Sequence, residues 1–141
     1  MNKVHITRRF GFEACHHLPG YNGKCANVHG HSYKLEVTVS ACRYFDDSPR
    51  NGGNMTFRDM VMDFVDLKHI VNNFVIDRFD HKDLNEFFVI PTAENMVVRI
   101  YEIIAAALRE SVNAQKCKVS LEEVKLWETE DSYATYRGEK T

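Results

Sequence analysis

The sequence predicts an α+β fold, a mainly antiparallel sheet covered on one face by helices. Three observations carry this: two long N-terminal stretches alternate apolar and polar residues, two later stretches repeat apolar residues at helical spacing, and the chain closes on alternation again. From Val4 to His16 the even positions (Val4, Ile6, Phe10, Phe12, Ala14) are mostly apolar, a half-buried strand. From His29 to Phe45 the odd positions Tyr33, Leu35, Val37, Val39 and Ala41 form one apolar face, with Ser32, Lys34, Glu36 and Thr38 between them. The segment Asp46 to Asn54, with Pro49, Gly52 and Gly53, reads as the long connection of a hairpin, and Met55 to Phe64 as the strand returning from it. Asp66 is placed to cap a helix with a stripe of Leu67, Ile70, Val71 and Phe74. Pro91-Thr92 supplies a stop and an N-cap for a second helix, where Glu94 favours the positive end and Val97, Ile100, Ile104, Ala107 and Leu108 make the stripe. Two strands follow, about Cys117 to Glu128 and Ser132 to Arg137, giving the order β-β-β-α-α-β-β.

The 141 residues, with 18 Lys+Arg against 20 Asp+Glu and a formal charge of −2, suit one domain over residues 1–141. Such a balance generates no whole-chain field that would gather nucleic acid or anionic lipid, so neither is an expected partner. The longest apolar run, Ile103 to Leu108, is far short of the roughly 20 residues of a membrane span. The N-terminal segment lacks the apolar core and cleavage site of a secretory signal, and the expected location is the cytoplasm. There the four cysteines, Cys15, Cys25, Cys42 and Cys117, are expected as free thiols.

Chemistry concentrates at the ends of the first two strands. His29 and His31 leave the same face of one strand, about 7 Å apart at their bases, so their rings can converge on one ion. His16 ends the apolar face of the preceding strand and can bring a third imidazole, whereas His17 has the opposite parity and is expected to stay apart. Three neutral histidines would leave Zn²⁺ its charge and an open fourth position, fit for a Lewis acid. The plain alternative is three unrelated strand-end histidines. Cys25, four residues before His29, has three readings: a thiolate base or nucleophile near a cation, a buried small hydrophobe, or a fourth ligand closing the site. Asp80-His81 would supply a general acid if the carboxylate orients the ring, although most such dipeptides are solvated turn residues. Glu128 ends an inward-facing row after Val124 and Leu126, so its carboxylate needs donors. An aminopyrimidinone edge would supply two adjacent N–H groups, while a salt bridge to Lys125 or Arg137 is the plainer reading.

These residues fall into ordered motifs: Phe12-Glu13-Ala14-Cys15-His16, Cys25-x3-His29-Gly30-His31, Met62-Asp63-Phe64, Asp80-His81-Lys82-Asp83-Leu84-Asn85, Pro91-Thr92-Ala93-Glu94-Asn95 and Glu128-Thr129. In that order, over nearly the whole chain, the sequence resembles the 6-pyruvoyltetrahydropterin synthase and 6-carboxytetrahydropterin synthase family. The resemblance implies a tunnelling fold of β-β-α-α-β-β subunits, assembled as a homohexamer with active sites between subunits. It implies Zn²⁺ on His16, His29 and His31, a thiol base at Cys25, an acid pair at Asp80 and His81, and substrate contacts at Glu128, Thr92 and Glu94. The implied substrate is 7,8-dihydroneopterin triphosphate. The short Cys25-x3-His29 spacing looks like the 6-carboxy branch, of queuosine and deazapurine synthesis, which releases acetaldehyde and triphosphate. The pyruvoyl branch, which eliminates triphosphate in the biopterin pathway, is the alternative, and a zinc-stabilised binding module without catalysis is the alternative of another class. Against the family pattern, Arg58-Asp59 stands where a Thr-Gly turn is common, and the Asp46 to Asn54 loop is longer than usual.

Overall fold

The structure is a computed structural model that describes residues 1–139; Lys140 and Thr141, the last two residues of the expected 1–141 domain, lie outside the described residues. Strand β1 (Asn2–His16) and strand β2 (His29–Arg43) form a long antiparallel pair whose register runs without a break from Asn2 opposite Arg43 to His16 opposite His29. This register sets the site, because it puts the last ring of one strand against the first ring of the other.

The rest of the sheet builds outward from that pair. A two-residue strand β3 (Lys82–Asp83) lies parallel to β1 at its outer edge. Strand β4 (Ser120–Thr129) takes the free edge of β2, and β5 (Ser132–Tyr136) closes on β4, giving the order β3-β1-β2-β4-β5. Helix α1 (Phe64–Val71) passes through a π turn (Asn72–Ile76) into the short α2 (Asp77–Phe79), and α3 (Ala93–Glu110) is followed by α4 (Val112–Cys117). One face of the sheet and the helices enclose the core: Phe12 and Ala14 of β1, Tyr33, Leu35 and Val37 of β2, and Val124 and Leu126 of β4. These meet Leu67, Val71, Val75 and Phe79 from the α1–α2 segment and Met96, Ile100 and Ile104 of α3. Each such Val, Leu, Ile, Met or Phe side chain contributes roughly 1.5–3 kcal/mol on burial.

Helix α3 starts as its sequence requires. The Thr92 hydroxyl oxygen accepts the Asn95 amide hydrogen, and Val97, Ile100, Ile104, Ala107 and Leu108 all face the core. Among the described residues no helix is long and apolar enough to cross a membrane.

Four expectations are corrected. Met55 to Phe64 is not a strand: Thr56 and Asp59 close a capping box around a 3-10 turn (Phe57–Asp59), and Phe64 already opens α1. The Asp46 to Asn54 segment therefore connects a strand to a turn and a helix, not two strands of a hairpin. Asp63, not Asp66, caps α1, accepting from the Val65 amide at 2.8 Å, and Asp66 sits in the first turn. Cys117 ends α4, and β4 begins three residues later, after Lys118 has turned the chain through a left-handed conformation (φ 53°).

Candidate active site

The β1–β2 register brings His16, His29 and His31 together as the sequence predicts. One ligating atom from each lies within 4.8 Å of the others, and the ring centroids are 4.6 to 5.0 Å apart. His16 is buried (1% exposed), while His29 and His31 are half-buried. His17 stays outside the donor set, its backbone clamped by the Asn85 side chain, which accepts from the His17 amide at 2.9 Å and donates to its carbonyl at 3.0 Å.

Two backbone carbonyls orient the rings. His16 Nδ1 donates to the Pro91 carbonyl (2.8 Å), and His29 Nδ1 donates to the Asn27 carbonyl (2.7 Å). A carbonyl accepts only, so each Nδ1 carries its hydrogen, and in the neutral ring each Nε2 is then the atom with the lone pair. Those two Nε2 atoms face each other at 3.0 Å. Paired lone pairs at that distance repel unless a cation or a proton lies between them. His31 Nε2 is buried without a hydrogen-bond partner and lies 3.3 Å from Glu128 Oε1. Burial holds the His31 imidazole below its ordinary pKa against the raising effect of the Glu128 carboxylate, and a proton on the neighbouring His16 or His29 ring would lower it further. Neutral imidazole is the metal-binding form, so the donor set, the carbonyls that orient it and the orphaned nitrogen all fit a divalent cation.

Glu128 Oε1 is also 3.3 Å from His16 Nε2. The plainer salt-bridge reading for Glu128 does not hold, because Lys125 and Arg137 both pair with Glu123 instead. Glu128 opens into a hollow of about 480 Å³ that Glu94, Tyr133 and Thr135 also line. Thr92 holds the α3 N-terminus beside it through its capping bond. Beneath the rings, the Tyr33 hydroxyl reaches His16 Nδ1 at 3.3 Å, and burial raises its phenol well above the usual range.

Asp80 and His81 do bond one another: Asp80 Oδ2 lies 3.0 Å from His81 Nδ1. The backbone of Glu13 on β1 clamps both residues, its amide donating to Asp80 Oδ1 (2.9 Å) and its carbonyl accepting from the His81 amide (2.5 Å). That clamp holds His81 at φ 60°, a conformation side chains rarely adopt. The Glu13 amide first, and then the His81 ring, keep the Asp80 carboxyl below the usual carboxylate range. The His81 side chain is 78% exposed and lines a second hollow of about 460 Å³ together with Glu13, Cys15, Ser32 and His31. His31 lines this hollow and Glu128 the other, so the imidazole cluster stands between them.

Cys25 lies in a 3-10 turn (Lys24–Ala26), half-buried, with its carbonyl accepting from the Leu18 amide at 2.8 Å. It stands outside the group of ligating atoms, which leaves the imidazole set unclosed by a thiol. Sequence reasoning missed Pro91, Asn27 and Tyr33. A backbone carbonyl has no residue-type signature, and Tyr33 reads only as the next position of an apolar face.

A family model described as 6-pyruvoyl tetrahydropterin synthase matches residues 5–139. The chain is 39% identical over 126 residues to a putative 6-carboxy-5,6,7,8-tetrahydropterin synthase of Archaeoglobus fulgidus, covering 89% of each chain. It is 30% identical over 145 residues to the 6-carboxy-5,6,7,8-tetrahydropterin synthase of Haemophilus influenzae, covering 94% of this chain and 97% of that one. Among solved structures, the 6-pyruvoyl tetrahydropterin synthase of Caenorhabditis elegans superimposes with a TM-score of 0.73 at 28% identity, over 99% of this chain and 98% of that one. The α+β sheet and its helices are thus the tunnelling fold, and the chain belongs to the 6-pyruvoyl tetrahydropterin synthase family.

Proposed function

We propose that this protein is a zinc-dependent 6-carboxy-5,6,7,8-tetrahydropterin synthase, converting 7,8-dihydroneopterin triphosphate to 6-carboxytetrahydropterin with release of acetaldehyde and triphosphate, in the synthesis of queuosine and related deazapurines. The observation that carries the reading is the convergence of three oriented imidazoles and the Glu128 carboxylate between two hollows. His16, His29 and His31 would hold Zn²⁺, which when bound supplies a Lewis acid for a substrate oxygen. Glu128 anchors the pterin by accepting the two adjacent N–H groups of its pyrimidinone edge, and Glu94 faces the same hollow. Cys25 removes a proton from side-chain carbon. His81, oriented through Nδ1 by Asp80, presents Nε2 outward to deliver or relay a proton.

The exposure of His81 and, among the described residues, the unpaired outer edges of β3 and β5 support an assembly of copies in which the active site is shared, a homohexamer by family resemblance. The short Cys25-x3-His29 spacing and the names of the two relatives above favour the carboxy branch. The test is to incubate zinc-loaded protein with 7,8-dihydroneopterin triphosphate and separate the products. Acetaldehyde with a carboxypterin is expected. A pyruvoyl product would move the protein to the other branch, and unchanged substrate would reject both.

A further inference from the structure

At the opposite end of the β1–β2 hairpin, roughly 45 Å along the strands from the imidazoles, the chain encloses a hollow of about 510 Å³ that the proposed chemistry does not use. Five cationic side chains line it, Arg43, Arg50, Arg58, Lys116 and Lys118, against the single carboxylate of Asp46, in a chain whose formal charge is −2. Asp46 is already engaged: it accepts from the Ser48 amide (2.8 Å) and from Arg50 (3.0 Å), bonds that keep its carboxyl below the usual range. Asp59 takes the other side of the Arg50 guanidinium. Among the described residues, Arg43, Arg58, Lys116 and Lys118 have no carboxylate partner.

The walls are fixed in place. Arg43 Nη1 donates to the carbonyls of Phe57 (2.9 Å) and Met60 (3.2 Å), and its Nη2 to that of Cys117, so one guanidinium ties together β2, the 3-10 turn and the end of α4. The Thr56–Asp59 capping box sets the turn that carries Arg58. Phe57 and Tyr44 are 44% and 74% exposed, and Lys116 Nζ lies 5.8 Å from the centre of the Phe57 ring. Four uncompensated like charges around one concavity repel one another, and an anion of two or more charges entering it relieves all of them together. The volume is that of a small-molecule site rather than of a flat protein interface.

We propose that this hollow is a second ligand site, which binds a small polyphosphate anion, free or carried on an organic body with an aromatic ring. The site is independent of the reading of the imidazole end. It is tested by titrating inorganic tripolyphosphate, and separately GTP, into zinc-loaded full-length protein by calorimetry, with amide chemical shifts locating the bound anion. The variants are Arg58→Ala and Lys116→Ala/Lys118→Ala, with His29→Ala and Glu128→Gln as controls for the other end. Arg43 is left intact because it ties three elements together.

The expected result is saturable binding that shifts the amides of Arg58, Lys116 and Lys118. Affinity should fall about tenfold or more in each of the first two variants, with melting temperature unchanged, and should be retained in the two controls. Equal affinity for both probes identifies free phosphate chemistry, and tighter GTP binding identifies a nucleotide-like body held on Phe57 and Tyr44. Absence of binding at millimolar probe would overturn the proposal. So would binding that disappears in the controls but survives in Lys116→Ala/Lys118→Ala.

Discussion

The two ends of the β1–β2 hairpin are built from the same backbone ladder and have opposite chemistry. At the His16–His29 end, carbonyls take the hydrogens of the rings and leave lone pairs pointing inward, a place for a cation. At the Asn2–Arg43 end, carbonyls take the hydrogens of a guanidinium and leave its charge in place, a setting for an anion. The same acceptor, the backbone carbonyl, has opposite electrostatic consequences because imidazole can give a hydrogen and still offer an electron pair, whereas guanidinium cannot. Polarity along the hairpin is thus set by which side chain ends each strand.

The largest effect that could break this contrast is on metal content. His29→Ala is expected to reduce bound zinc to near zero by elemental analysis, while His17→Ala retains it; equal retention in both variants would dissolve the cation end altogether. Cys25→Ala should lower turnover by about 10²- to 10⁴-fold, the usual worth of general acid–base catalysis, with zinc near the wild-type level. Loss of zinc in that variant would instead make Cys25 a ligand and the site a structural one. Glu128→Gln is expected to weaken pterin affinity by about 10- to 100-fold, as removal of a charged bidentate acceptor does, measured as KM or as inhibition by a pterin analogue.

At the other end, Arg43→Met should lower unfolding free energy by about 1.5–3 kcal/mol in a denaturant titration and leave zinc untouched. If zinc were lost as well, the two ends would not be separable. The smallest effect is on acid stability. The Asp80 carboxyl is held low in the folded protein, so its contribution is fully present above the unfolded value of about 3.9 and disappears as pH falls through the folded value. Asp80→Asn should therefore be less stable than wild type near neutrality and converge with it in strong acid.

Much of this was legible because it is local and periodic. Alternation along β1 and β2 gave both strands and, through parity, selected His16 over His17. The Pro91-Thr92 boundary and the α3 stripe are equally local. Met55 to Phe64 misled because its apolar residues suit a strand, although Met60-Val61-Met62 blurs the alternation, and β2 has no free edge for it: β1 occupies one edge of β2 and β4, arriving from far along the chain, occupies the other. Asp63 and Asp66 are both sound caps by composition, and only packing decides between them. The Asn27 carbonyl is two residues from His29 but has no residue-type signature, while the carbonyl of Pro91 and the gathering of Arg43, Arg58 and Lys116 depend on tertiary placement and leave no mark on residue order.

Pro91 joins two processes that would otherwise be separate. Its carbonyl steers the ring of His16, and the same short segment leads straight into α3, whose inner stripe closes the core. Undocking that helix would release the ring, so resistance to a chelator should report on how firmly the helix is seated. A substitution at the buried Ile100 or Ile104, neither of which is a candidate ligand, would then speed zinc exchange in proportion to the packing it removes.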